Sequence, residues 1–314
     1  MQPYKDYATM AYADNTLRNY NTDWRDFLNY CQSTGTNIDS VTDVDVANFL
    51  VARATKLRVS TLRMRLTGIK HHMAVRGIKC DLHSKAITDT LSGLARHFGT
   101  APEQKGAITI PLLKSMVDHI DGSREKIARD RAMILIAFAG AFRRSEVCHL
   151  KRYQIKFHER GAEIFLPKSK TDQEGSGRHV GIPYKKSDYC AATALKRWLD
   201  VRDFDLDDYI FPSLDSNRNF TRKPISLSYF PRIVKNLIKK HCISMGFEPA
   251  EAEKVAQEYS GHSFRAGFVT AAAEAGAPEW QIAMQTGHKS LDTLKRYMRS
   301  RCVFAHNALE KIGL

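Results

Sequence analysis

The chain has 314 residues, 43% of them hydrophobic, and no low-complexity tract; that is enough for one large domain or two of ordinary size and argues against a disordered chain. Lys and Arg outnumber Asp and Glu by 48 to 34, a formal charge of +14 with a pI of about 9.5, a surplus that favours a polyanionic partner, nucleic acid ahead of a membrane surface. The six cysteines, Cys31, Cys80, Cys148, Cys190, Cys242 and Cys302, form no CxxC pair and read as free thiols of a reducing compartment; Met1 to Asp6 leads into no secretory apolar run, and the longest apolar run, Ala132 to Phe142, falls short of the roughly 20 residues a membrane span needs.

The first hundred residues read as all-helical. From Thr16 onward Leu17, Tyr20, Trp24, Phe27, Leu28 and Cys31 recur at spacings of three and four, one face of a helix packed on a core. A second helix is expected to start at Thr42, whose hydroxyl can cap amides near Asp45 while Asp45 reaches back, with Val46, Phe49 and Leu50 buried. Leu62, Leu66, Ile69 and Met73 predict a third helix, and Ile87, Leu91 and Leu94 a fourth over Ser84 to His97. Between Val46 and Cys80 no acidic residue occurs, whereas Arg53, Lys56, Arg58, Arg63, Arg65, Lys70 and Arg76 do. That stretch is a candidate phosphate-tracking surface; its alternative is an ordinary solvated helix face, since these residues do not share one stripe.

Residues 98–107, with two glycines and a proline and no periodicity, read as an interdomain linker. We place a helical domain at 1–98, the linker at 99–108 and a second domain at 109–314 with a tail at 300–314. The second part is mixed. Helices are expected over 110–119 and 127–139 and from about Ser145; Ala162 to Leu166 and His179 to Ile182 read as strands of a hairpin. Its polar tip runs from Lys168 to Arg178, where Gly175 and Gly177 can take turn dihedrals. Helices follow around 190–200 and 227–240, then over Ser263 to Ala275, Pro278 to Thr286 and Ser290 to Arg299, with Pro278 suited to a first turn. No internal repeat is present.

The late window carries the chemistry. His262 and Arg265 lie three apart at a helix start, so both can serve one site. His288 follows Gly287 where the chain leaves a helix, and Tyr297 lies two turns beyond a possible cap at Ser290. Far upstream, Arg143 directly follows the apolar helix, where a guanidinium needs an anion or acceptors. Taken singly each has a plain alternative: a chance HxxR, a buried tyrosine bonded to a carbonyl, an Arg143–Glu146 structural ion pair. Together, two arginines, two histidines and a tyrosine suit attack on a phosphodiester, with the tyrosine as nucleophile and no metal or nucleotide needed.

In Gly140–Glu146, Ser169-Lys170-Thr171-Asp172, His262-Ser263-Phe264-Arg265 and Gly287-His288 with Tyr297, the chain resembles, in order and over essentially its whole length, the tyrosine recombinases of the phage-integrase type. The resemblance implies a mainly α fold with a small β-hairpin or sheet: a helical, SAM-like core-binding domain, a linker and an α+β catalytic domain. It implies a site-specific recombinase whose active set is Arg143, Lys170, His262, Arg265, His288 and Tyr297, with Glu146 supporting them. Tyr297 would attack the phosphorus and form a 3′-phosphotyrosyl link, the arginines would grip the non-bridging oxygens, and Lys170 would protonate the 5′ oxygen. His262 would assist Tyr297 and His288 would donate to the phosphate. It further implies double-stranded DNA with specific sites as partner, a Holliday junction, and a homotetramer on two duplexes from a protein monomeric when free. No cofactor, metal or membrane is expected, and the setting is cytoplasmic at the nucleoid. Docking of the tail on a neighbouring protomer has packing in cis as its alternative. Type IB topoisomerase chemistry and a non-catalytic DNA-binding protein are the competing readings. Because a tyrosine has a pKa of about 10, Tyr297 is expected to be idle until phosphate and arginines surround it.

Overall fold

The computed structural model describes residues 12–100, 105–167 and 177–288. The chain divides into two compact units, 1–103 and 104–314.

In the first unit four helices are described: α1 (Asp14–Thr34), α2 (Asp43–Ala54), α3 (Val59–Arg76) and α4 (Lys85–Phe98). The α2 cap is the one the sequence predicts: the Asp45 amide donates to Thr42 Oγ1 at 3.3 Å while the Thr42 amide donates to Asp45 Oδ2 at 2.9 Å, satisfying two amides that a helix start leaves without partners. Trp24, Phe27 and Cys31 of α1 meet Val46, Phe49 and Leu50 of α2, Leu62, Ile69 and Met73 of α3 and Ile87 of α4 in one core. Leu28, expected on the buried face, lies outward at 37% exposure because that face is narrower than its apolar count suggests. α1 and α3 touch closely at Gly68, where a Cβ would come within 2.8 Å of Asp23 Oδ2.

The second unit is built around α6 (Arg124–Ala139), whose residues from Ala132 to Ala137 are buried without a break. Such a helix, apolar all round, must be covered on every side; α5 (Ile110–Asp118), α8 (Ala191–Leu199) and α11 (Ser263–Glu274) pack on it. The hairpin proves to be a three-stranded antiparallel sheet, β1 (Ile155–His158), β2 (Gly161–Leu166) and β3 (Arg178–Pro183), with Ile155 opposite Ile164 and Ile164 opposite Val180. Its alternation buries Ile164, Leu166, Val180 and Ile182 and turns Glu163 and His179 outward. A second small sheet pairs β4 (Pro212–Leu214) with β5 (Phe220–Pro224), tied to α6 because Arg129, fully buried, donates to the Pro212 carbonyl at 2.8 Å and pairs with Asp130. α7 (Arg144–Cys148), α9 (Tyr229–Ser244), α10 (Pro249–Gln257) and α12 (Glu279–Thr286) complete the described α-helices.

The structure departs from the sequence reading in further places. The sequence pattern predicts none of β1, β4, β5 and α10. Arg178, read as the end of the polar tip, is the first residue of β3. Pro278 caps α12 from outside, the helix beginning at Glu279. The second half of the expected linker belongs to the second unit: Ala107 and Ile108 are buried, Gly106 N–H donates to Glu258 O and Ile108 N–H to Ser263 O. The expected helix Ser290 to Arg299 and the tail lie outside the described residues. Five cysteines are free among the described residues, and no helix there is long and apolar enough to cross a membrane.

Candidate active site

Where α6 ends, the chain turns sharply. Phe142 N–H returns to the Ala137 carbonyl at 3.2 Å, and Ala141 takes a left-handed φ of 47° that L-residues adopt rarely. Gly140 allows the fold-back, since a Cβ there would sit 2.3 Å from the Phe142 ring. The turn has two products. It sets Arg143 at the N-cap of α7, and it aims the Ala141 carbonyl at Arg265, whose Nη1 donates to it at 2.9 Å. Arg265 is only 1% exposed, so an acceptor inside the fold is a requirement for it.

Glu146, one turn into α7, accepts from the Arg143 amide and from Arg143 Nη1, both at 2.8 Å. The ion pair weighed for these two residues from the sequence is therefore present. Glu146 also accepts from Arg178 Nη2 at 3.1 Å, so one carboxylate serves two guanidiniums.

His262 is the N-cap of α11, one turn before Arg265. Desolvation of its ring and then the charges of Arg265 and Arg143 hold it below its ordinary pKa. Because His262 is exposed overall, its desolvation is shallow and the two positive neighbours are the durable part of the effect. His288 arrives from the other side: α12 stops at Gly287, left-handed at φ 66°, and His288 Nδ1 lies 2.7 Å from Thr286 Oγ1. The Thr286 hydroxyl already donates to the Ile282 carbonyl at 2.7 Å, so it accepts from His288, which carries its proton on Nδ1. Burial, then Arg265, Arg143, His262 and Arg178, lowers His288 from 6.5 to about 4, so it is neutral at physiological pH.

The structure thus brings Arg143, Arg265, His262, His288 and Glu146 into one basic pocket. Lys170 and Tyr297 lie outside the described residues. Arg178 was missed by the sequence reading; its signal was its place immediately before the alternating His179-Val180-Gly181-Ile182 strand.

The basic stretch of the first unit divides. Arg53 donates to both oxygens of Asp26, at 3.2 and 3.1 Å through Nε, and Arg65 pairs with Asp26 and, at 3.9 Å, with Asp23. The one-signed sequence of 46–80 is therefore neutralised in part by acids from α1, and these two arginines are ion-paired where the sequence offered an unopposed charge. Lys56, Arg58, Arg63, Lys70 and Arg76 stay exposed, Lys70 against His83 and Arg76 against His72, each at 2.9 Å.

Residues 112–302 match the model of the phage integrase family, and residues 5–74 that of the phage integrase N-terminal SAM-like domain. An integrase/recombinase XerD homolog of Selenomonas ruminantium is 31% identical over 305 residues, 96% of this chain and 86% of that protein. The tyrosine recombinase XerD of Shewanella oneidensis is 24% identical over 302 residues, 93% of this chain and 88% of that one. Among solved structures, the XerH site-specific recombinase in a post-cleavage complex with palindromic difH substrate aligns with a TM-score of 0.64 at 18% identity, covering 94% of this chain and 78% of that one. The Tn1549 transposon integrase with circular intermediate DNA aligns at 0.59 and 18%, covering 83% and 82%. The extent of the family match and the relative at 31% identity make this chain a member of the phage integrase family of tyrosine recombinases, enzymes that cleave and rejoin DNA.

Proposed function

We propose that the protein recombines DNA at specific sites, cutting each strand through a 3′-phosphotyrosyl link to Tyr297 and passing through a Holliday junction within a homotetramer on two duplexes. The observation that carries this reading is the pocket in which Arg143 and Arg265, arriving from the ends of α6 and α11, act on both His262 and His288. The excess of fixed positive charge among these partly buried, described residues suits the charge that builds on the non-bridging oxygens of a pentavalent phosphorus.

In this mechanism the two guanidiniums bind and polarise the scissile phosphate, and Glu146 keeps Arg143 extended toward it. Tyr297 attacks the phosphorus as the bond to the 5′ oxygen breaks; Lys170 protonates that oxygen and His262 takes the phenol proton. Rejoining runs the same steps backward from the stored phosphotyrosine, so no nucleotide is consumed. His288 is held neutral by burial, then by Arg265, Arg143, His262 and Arg178, before DNA binds. An anionic phosphate among them offsets part of that field, raises its proton affinity, and lets Nε2 donate to a phosphate oxygen. Phosphate tracking falls to Lys56, Arg58, Arg63, Lys70 and Arg76, with Arg53 and Arg65 committed to Asp26.

The test is covalent trapping. Random duplexes with a nick next to the cleavage position are selected for retention by the denatured protein, and the enriched site is used as a suicide substrate. Native protein is expected to form a covalent complex, and Tyr297→Phe none. Absence of a complex with native protein on the enriched site, with binding intact, would make it a DNA-binding protein that does not cut.

A further inference from the structure

We propose that Arg178 is a positioning residue of the pocket, tying the carboxylate that steadies Arg143 to the end of α12 that carries His288. The inference rests on the proposed function for its meaning, and on described residues alone for its geometry. Arg178 Nη2 donates to Glu146 Oε2 at 3.1 Å and Nη1 donates to the Gln285 carbonyl at 2.6 Å. The two acceptors belong to α7 and α12, and Arg178 itself opens β3, so one planar fork joins three elements. Contact with the α12 end is tight: a Cβ on Gly287 would lie 3.0 Å from Arg178 Cδ and Nε. On its other side the guanidinium stands 5.9 Å from the centre of the Phe142 ring, in the turn that delivers Arg143. Gln285 reinforces the junction, its side-chain amide donating to the Ala139 carbonyl at 2.8 Å.

The charge count separates this arrangement from a plain stabilising pair. A one-to-one buried pair leaves no net charge to be desolvated. Here two guanidiniums share Glu146, with side chains only 15% and 20% exposed for Arg178 and Arg143. Burial, and then Arg143, act against the charge on Arg178, while Glu146 supports it. Among the described residues the cluster therefore carries more positive than negative charge, a field that suits an arriving phosphate. The shape of the fork matters as much as its charge. A lysine ammonium is a single point on a flexible stem and cannot hold Glu146 and the Gln285 carbonyl in fixed directions at once.

The experiment uses the full chain with Arg178→Ala and Arg178→Lys. At saturating suicide duplex both variants are expected to form the covalent complex about tenfold or more slowly, with duplex affinity within about threefold of native, because placement fails while phosphate contacts elsewhere persist. The imidazole of His288, followed by NMR through a pH titration without DNA, is expected to titrate higher in both. The charged and titratable groups facing it are Arg143, Arg178, His262 and Arg265, and Thr286 holds its Nδ1. Native rates in either variant, or an unmoved His288 titration, overturn the proposal. If Arg178→Ala does not fold, Arg178→Lys answers by the same two measurements, since it keeps the charge and loses the fork. Failure of the native protein to trap DNA overturns the recombinase reading instead, and the His288 titration then decides the role of Arg178 by itself.

Discussion

Replacing Glu146 by Gln removes the negative charge that Arg143 and Arg178 share. The carboxylate is 6% exposed in its side chain and receives the Arg143 amide and Arg143 Nη1 at 2.8 Å and Arg178 Nη2 at 3.1 Å. Glutamine keeps one acceptor oxygen and turns an NH2 toward a donor. Breaking a buried ion pair costs about 3–5 kcal/mol; because both arginines retain some solvent, we expect somewhat less than that, about 2–3 kcal/mol. For a unit of some 200 residues that lowers Tm by about 5–10 °C. With the shared carboxylate gone, the two guanidiniums should in turn attract an anion from solution. Differential scanning calorimetry in buffer without phosphate, repeated with added inorganic phosphate, reads both effects: phosphate should raise Tm more in the variant than in the native protein. A variant melting within about a degree of native, or an equal response to phosphate, would refute the assignment of Glu146 as the shared counterion.

Other outcomes follow from the same geometry. Gly267→Ala places a Cβ 2.0 Å from the Ile108 carbonyl oxygen, a backbone clash that should lower stability by about 2–4 kcal/mol in chemical denaturation. His288 binds its proton more weakly folded than unfolded, so the unfolded chain takes up more protons as pH falls from its ordinary value of 6.5 toward about 4. Stability should therefore drop through that window, and the drop should shrink in His288→Gln, measured by urea unfolding at each pH. Arg63→Ala and Lys56→Ala, exposed and basic, should each flatten the salt dependence of duplex binding by about one counterion. Arg65→Ala, held by Asp26 and Asp23, should instead lower the Tm of the first unit and leave the salt slope nearly unchanged.

Periodicity and capping made most helices legible, because the physics that forms them is local. Thr42 and Asp45 announce α2, and Ala132 to Ala137 can only be a helix buried on all sides. α10 escaped because Pro249–Gln257 is built of alanines and charged residues, and its burial comes from Ala252 and Ala256, whose small side chains give almost no periodic signal. β4 and β5 pair with each other in a local hairpin, Leu214 opposite Phe220, and at 3 and 5 residues are too brief to show an alternation. In the pocket, residues announced by the recombinase motifs were legible and those defined by a partner were not. Nothing in a polar run ending at Arg178 says that Glu146 and Gln285 wait for it. Arg53 and Arg65 looked unopposed for the same reason: their acids sit a helix away, at Asp23 and Asp26.

The segment entering the second unit is fastened at two points, Gly106 to the carbonyl of Glu258 and Ile108 to that of Ser263. Ser263 lies between His262 and Arg265, and Gly267 lets the Ile108 backbone press directly on α11. A pull on the chain upstream of residue 105 is therefore borne first by two amide hydrogen bonds close in sequence to His262 and Arg265, before it can spread into the wider core. Mechanically the connector is a tendon inserted beside the site, and tension along it loads the end of α10 at Glu258 and then the start of α11 at Ser263.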